Sequence, residues 1–299
     1  ALAGTLSPFA PGGIVANGIM ERIGLGGLEW QTYGYNVLAH AAVGFGAPTG
    51  MTISSDHSMQ PSSGITNSIS GLSDWSCTAS PAFNADELVY PASLAKLMTA
   101  LLVLERGRLD ETVAVSAAAA RATGTRMGLR AGEKFTARDL LAATVVRSAN
   151  DACRALADHV AADFVALMNA RAAALGLADT RYADPCGHDR EGQYTSAADL
   201  ARLAGAVTAH AEYLRLARLP RVRVASAAGR RFTLAGTNAL IGRYEGAIGL
   251  KTGYTEGAGH CLVALAERDG VRVLVVMLNS PNRWWNAVGL LDRAFQAAP

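Results

Sequence analysis

Ser93-Leu-Ala-Lys96 sets a hydroxyl and an amine three residues apart in a segment of helical periodicity. On a helix, side chains at i and i+3 share a face, so the two groups come within hydrogen-bonding reach. A serine hydroxyl is a weak nucleophile until a base takes its proton, and an unprotonated amine can act as that base. The start of a helix also favours developing negative charge. Ser148-Ala-Asn150 offers a second hydroxyl beside an amide, in a break between helical stretches. Lys251-Thr-Gly253 ends a strand-like stretch with a glycine, which lets a ligand lie close to the strand edge. The chemistry these types suggest together is covalent catalysis through a serine.

Lysine usage points to the same residues. Of 27 basic residues, three are lysine: Lys96, Lys134 and Lys251. An ammonium can lose its proton when buried, whereas a guanidinium effectively cannot. Two of the three lysines fall in these motifs, and Lys134 reads as a solvated turn residue.

The elements that must position these groups are legible after about residue 82. Positions 91–107 read as a helix entered through Pro91, with Leu94, Leu97, Met98, Leu101 and Leu104 at helical spacing and Gly107 closing it. Thr136 with Asp139, and Ser196 with Asp199, have capping-box spacing and open further helices. Positions 151–161 continue as a helix after the break at 147–150. Positions 246–251 and 260–267 are strand-like, and 271–278 form a β-branched run after Asp269-Gly270, a hairpin signal. Positions 283–297 read as a terminal helix. The fold class this implies is α+β, an antiparallel sheet flanked by helices and interrupted by a mostly helical subdomain at about 113–220. Residues 1–82, rich in Gly and Ser, show no clear period and stay unassigned; 83–299 form the expected catalytic unit.

Composition excludes other classes. A net charge of +2 without a basic run argues against nucleic acid. The longest weakly polar stretches fall short of the roughly 20 residues that span a bilayer. No basic, apolar leader opens the sequence, so membrane attachment is not readable in it. Cys77, Cys153, Cys186 and Cys261 lie far apart without a C-x-x-C pair and read as ordinary thiols. No cofactor or metal is expected.

The ordered triple is the serine and lysine signature of penicillin-binding proteins and class A β-lactamases. From about Asn84 onward the chain resembles the low-molecular-mass D-alanyl-D-alanine carboxypeptidases, serine peptidase family S11. The matching text includes Tyr90-Pro-Ala-Ser-Leu-Ala-Lys-Leu-Met-Thr99, Ser148-Ala-Asn-Asp-Ala152, Phe164-Val-Ala-Leu-Met-Asn169 and Gly249-Leu-Lys-Thr-Gly-Tyr-Thr255. The resemblance implies a sheet domain carrying a helical subdomain, with the active site between them. It implies that Ser93 is acylated, Lys96 takes its proton and Ser148 relays a proton to the leaving group. Asn150 would hold a substrate amide, Lys251 would support Ser148, and Thr252 would meet the terminal carboxylate. Backbone N–H groups of Ser93 and Tyr254, beside Gly253, would form the oxyanion hole, and Arg283 stands where relatives often place a carboxylate-binding arginine. The implied partners are peptidoglycan pentapeptides ending in D-Ala-D-Ala, with β-lactams as covalent inhibitors, in the cell envelope. Two features depart from the family. The strand pair that normally precedes the serine helix is not recognisable in 1–82, and no β-rich second domain or amphipathic anchor follows the terminal helix.

Four rival readings carry less. A β-lactamase needs a carboxylate to activate water; Glu191 lies after the second motif, but without an E-x-x-L-N pattern. His188-Asp-Arg-Glu191 has H-x-x-E spacing, yet HExxH is absent and a water-exposed loop explains both residues. An inactive penicillin-binding-like protein would follow if the missing strand pair spoiled the site. A DD-endopeptidase would use the same residues.

Overall fold

The computed structural model describes residues 39–45, 78–83 and 85–297. Two strands, β1 (Ala39–Phe45) and β2 (Thr78–Phe83), come from the stretch that shows no clear period. A 3-10 turn (Ala92–Ala95) runs directly into α1 (Lys96–Arg106). There follow β3 (Thr112–Ala114), α2 (Ala117–Ala120), β4 (Lys134–Thr136), α3 (Ala137–Ala142), a π turn (Ala143–Arg147), α4 (Asn150–Val160) and α5 (Phe164–Ala174). Next come α6 (Ala197–Thr208), α7 (Ala211–Ala217) and the hairpin of β5 (Arg221–Ala225) and β6 (Arg231–Ala235). The chain then forms β7 (Ala247–Thr255), β8 (Gly259–Arg268), β9 (Val271–Leu278) and α8 (Arg283–Ala297).

The main sheet has the strand order β2-β1-β9-β8-β7, with every pair antiparallel. Asp269 and Gly270 join β8 to β9 with φ of 50° and 79°, the left-handed pair that a tight hairpin turn demands. Both faces of the sheet are covered. Val263, Leu265, Leu274, Val276 and Leu278 join the core formed with α1 and α6. Their alternating neighbours Leu262, Ala264, Val273, Val275 and Met277 pack instead against Ala287 and Leu291 of α8. Two-sided burial is why these strands read as unbroken apolar runs. Each fully buried side chain of this size contributes about 1.5–3 kcal/mol.

The strand pair that the sequence does not reveal is present. β1 lies between β2 and β9, with Ala42 opposite both Ser80 and Val275. Three causes hide it. Ala39–Phe45 is mostly alanine and glycine, poor strand formers. Positions 46–77 separate the partners, so no hairpin turn marks them. Pro81 interrupts β2, but β2 is an edge strand, where a missing N–H is tolerated, and the register shifts between His40 and Ala42 nearby.

The 3-10 turn buries Leu94, and α1 buries Leu97, Met98 and Leu101 and closes at Gly107, φ 72°, whose N–H donates to the Leu104 carbonyl. The capping residues behave as expected: Thr136 Oγ1 accepts from Asp139 N at 3.1 Å, and Ser196 Oγ from Asp199 N at 3.2 Å. Each such cap is worth about 1 kcal/mol. Among the described residues no helix is long and apolar enough to cross a membrane.

The cysteine expectation is overturned. Cys153 on α4 and Cys186, 33 positions later, form a disulfide with their Cα atoms 5.9 Å apart. Linear spacing carries no distance information here, because the two meet only once α4 packs against the loop at 184–189. Cys261 is a buried free thiol, and Cys77 lies outside the described residues.

Candidate active site

The 3-10 turn places Ser93 half-exposed at the mouth of α1, with buried Lys96 one turn on. Lys96 Nζ is 2.9 Å from Ser93 Oγ and also donates to the Cys186 carbonyl. Burial strips water from the ammonium and lowers its pKa to about 7, against the opposing charge of Asp184. Near neutrality an appreciable share of Lys96 is therefore unprotonated and able to accept the serine proton. Ala92 has φ of 47°, so the turn that aims Ser93 holds backbone strain.

Ser148 closes the π turn at φ 62°, again left-handed. Its Oγ accepts from Lys251 Nζ at 2.7 Å, and the same nitrogen donates to the Thr252 carbonyl at 2.9 Å. Lys251 is held well below its ordinary pKa, first by burial, then by the charges of Lys96 and Arg283. Burial and the charge of Lys96 both weigh against a charged Lys251 amine.

Asn150 begins α4. Its backbone N–H donates to Thr125 O at 2.7 Å and its Nδ2 to Thr123 O at 2.6 Å. The neighbouring Asp151 carboxylate takes the N–H groups of Met127, Gly128 and Leu129, which pins that loop to the helix. Asn150 Oδ1 is buried and takes no hydrogen bond from any described residue.

β7 supplies the third side. A Cβ on Gly253 would sit 3.1 Å from Ala92 Cβ and 3.3 Å from Ser93 N, a crowded fit that glycine relieves beside the serine turn. Thr252 and Thr237 hydroxyls are 2.7 Å apart. The Tyr254 side chain is exposed, its ring centroid 4.7 Å from that of His260. Arg283 is half-buried: its Nη1 donates to the Gly253 and Cys261 carbonyls, at 2.7 and 3.2 Å. The structure thus brings Ser93, Lys96, Ser148, Asn150, Lys251, Thr252 and Gly253 together from three separate stretches of the chain.

Sequence reasoning missed the loop that ties them. Asp184 Oδ1 accepts from the N–H groups of Cys186 and His188 and lies 3.1 Å from His188 Nδ1. Burial pushes the Asp184 carboxyl up, but these donors outweigh it and hold the pKa at about 2. Asp189 bonds Thr255 Oγ1 and Gly257 N beyond β7. His188, expected in open water with Glu191, is half-buried with Nε2 3.2 Å from Asn150 Nδ2, while Glu191 is exposed. The density of Asp, Cys, Gly and His in positions 184–189 was the one visible signal.

A serine and lysine on one helical turn, a second such pair across from them, and a five-stranded antiparallel sheet covered by helices define the DD-peptidase fold. Penicillin-binding protein D2 from Listeria monocytogenes, solved with ampicillin bound, superposes with a TM-score of 0.69 at 28% identity, over 87% of this chain and 97% of that one. The chain belongs to the peptidase S11 family, D-alanyl-D-alanine carboxypeptidase, whose sequence profile matches residues 81–282. It is 33% identical over 223 residues to the D-alanyl-D-alanine carboxypeptidase DacF of Bacillus subtilis, covering 71% of this chain and 57% of that protein. It is also 33% identical over 219 residues to a D-alanyl-D-alanine carboxypeptidase of Mycobacterium tuberculosis, covering 70% of this chain and 75% of the relative. The chain thus spans only a little over half the length of the Bacillus relative.

Proposed function

We propose that the chain is a serine-type D-Ala-D-Ala carboxypeptidase that cleaves peptidoglycan stem peptides through an acyl-enzyme on Ser93 and is acylated at the same serine by β-lactams. The observation that carries this reading is the contact of 2.9 Å between Ser93 Oγ and a lysine whose pKa burial has brought to about 7. Lys96 takes the hydroxyl proton as Oγ attacks the carbonyl carbon of the penultimate D-Ala. The N–H groups of Ser93 and Tyr254 receive the oxyanion, worth about 10²–10³ in rate for one such donor. The C–N bond then breaks, and the leaving D-Ala amine receives its proton through Ser148, which Lys251 orients. Water hydrolyses the ester and returns Ser93. Asn150 accepts a substrate N–H, and Thr252 and Arg283 meet the terminal carboxylate.

The catalytic unit in this reading is 83–299 completed by β1 and β2, whose place in the sheet supports including them. The Cys153–Cys186 disulfide supports an oxidising compartment such as the cell envelope. The test is mass spectrometry of penicillin-treated protein. An adduct on the Ser93 peptide is expected, and an adduct that survives Ser93→Ala would overturn the reading.

A further inference from the structure

The hairpin of β5 and β6 has one face in the core and one in water. Val222, Val224, Phe232 and Leu234 pack inward. The cross-strand pairs Arg221 with Ala235, Arg223 with Thr233 and Ala225 with Arg231 stand on the opposite face, and all six residues are exposed. Alternation along a strand sets Arg221 and Arg223 about 7 Å apart on one surface. None of the three guanidinium groups has a partner among the described residues. Lys134, also exposed, adds a fourth charge beside the hairpin turn, where its carbonyl accepts from Ala227 N at 2.8 Å. Two carboxylates stand close by. Glu133 is matched by Arg230 at 2.7 Å, and Asp139 accepts from Ala225 N at 3.3 Å. The hairpin therefore holds a local cationic excess on a chain whose whole net charge is +2. It also adjoins the catalytic cleft. Ala235, opposite Arg221, is two residues from Thr237, whose hydroxyl lies 2.7 Å from that of Thr252.

We propose that this arginine face is a docking site outside the cleft, which holds acidic stem peptides of the peptidoglycan polymer while a neighbouring stem is cleaved. The identity of the polymer rests on the function proposed above. That substrate is a polyanion, because its stem peptides carry free carboxylates and repeat along each glycan strand. Arginine forks meet carboxylates with two parallel hydrogen bonds, and an ordered row of forks suits a repeating acid. An anionic membrane fits the face less well. Surfaces that settle on lipid add aromatic or aliphatic side chains to their cations, and here only Ala and Thr stand between the arginines. Docking of this kind raises the local concentration of substrate at the cleft. It acts on KM for the polymer and leaves the chemistry at Ser93 untouched.

The test gives the whole chain two substrates ending in D-Ala-D-Ala: peptidoglycan strands, and a short N-acylated peptide whose one carboxylate is the terminal one. Arg221, Arg223 and Arg231 are replaced together by serine and, in a second variant, by lysine. The serine variant should lose about ten-fold in kcat/KM on the strands, from roughly two- to three-fold per exposed ion pair, and lose it in KM. Its rate on the short peptide should hold, which also shows that it folds. The lysine variant should keep most of the strand rate, and added salt should shrink the wild-type preference for strands. An unchanged strand rate in the serine variant overturns the docking site. So does a serine variant that loses only its binding to phosphatidylglycerol vesicles, since the face would then belong to a membrane. Sedimentation with strands already trimmed of the last D-Ala needs no catalysis, and there the wild type should bind and the serine variant should not. That result, joined to no D-Ala release from either substrate by the wild type, would overturn the carboxypeptidase reading and leave the docking face standing.

Discussion

A Cβ added to Gly187 would lie 1.7 Å from the carbonyl oxygen of Ala92, far inside any non-bonded contact. Both residues are left-handed, Gly187 at φ 87° and Ala92 at 47°. This close approach presses the loop whose Cys186 carbonyl holds Lys96 against the turn that carries Ser93. The fit of the loop against the turn is set by backbone meeting backbone.

Gly187→Ala should therefore separate loop from turn. The backbone oxygen cannot yield as a flexible side chain would, and alanine disfavours this φ, so the loss of stability should reach about 3 kcal/mol or more. Urea unfolding measures that loss. Labelling by fluorescent penicillin should fall with it, even in the fraction that remains folded.

Lys96→Arg should be nearly as damaging as Lys96→Ala. Arginine keeps the charge but cannot become a neutral base, so acylation should fall by roughly 10²–10⁴ in both. Stopped-flow acylation by penicillin checks this. If the arginine variant keeps most of its rate, Lys96 acts only as a cation.

The wild-type pH profile should follow the same group. Only unprotonated Lys96 accepts the serine proton, and its pKa is lowered to about 7. Acylation should drop about tenfold per pH unit below that point, since a one-proton equilibrium loses a decade of base per unit, and level off above it. A limb centred near the ordinary lysine value would show that burial does not tune this amine.

Reduction of Cys153–Cys186 should act on both stability and rate. Closing a loop of this length is worth about 4 kcal/mol in the chain-entropy picture, and measured values for native bridges run from about 2 to 5 kcal/mol. Cys186→Ala removes the tie but keeps the backbone carbonyl that accepts from Lys96. We expect the variant to unfold at lower urea and to acylate several-fold more slowly, and a dithiol reductant to reproduce both effects only in the wild type.

Arg283 should discriminate acid from amide. A charge-assisted bond to a carboxylate is worth about 1.5–3 kcal/mol, so Arg283→Ala should lower turnover of a free D-Ala-D-Ala acid by roughly 10- to 100-fold. Its C-terminal amide, already poor, should change little. Equal losses on both would mean that Arg283 acts by holding the Gly253 carbonyl rather than by meeting substrate.

How far the sequence speaks differs from element to element. α1, β9 and α8 are legible because their burial follows one clear period or, for β9, an unbroken β-branched run. Ser93, Lys96, Ser148, Asn150 and Lys251 are legible because local spacing brings each motif to the site in one piece. The hairpin of β5 and β6 is not: its outward residues Arg221, Arg223 and Arg231 give it a charged surface, and its turn, with Gly229, lacks a two-residue signature. Cys186 and His188 stay hidden for another reason. Their parts depend on contacts with α1 and α4 across the fold, and a linear reading contains no such distances.

The π turn at Ala143–Arg147 carries one more residue than an α-helical turn would hold. Ser148 reaches Lys251 because of that surplus. Removing any single residue from the turn would let the helix run on regularly. Ser148 and the start of α4 would then rotate by about 100°, the angle of one residue at 3.6 per turn. Replacing Ala143 or Val145 by another small apolar residue would leave the count intact. This stretch should accordingly accept small apolar replacements but no deletion. A single lost codon there would silence the protein where a conservative misspelling would not.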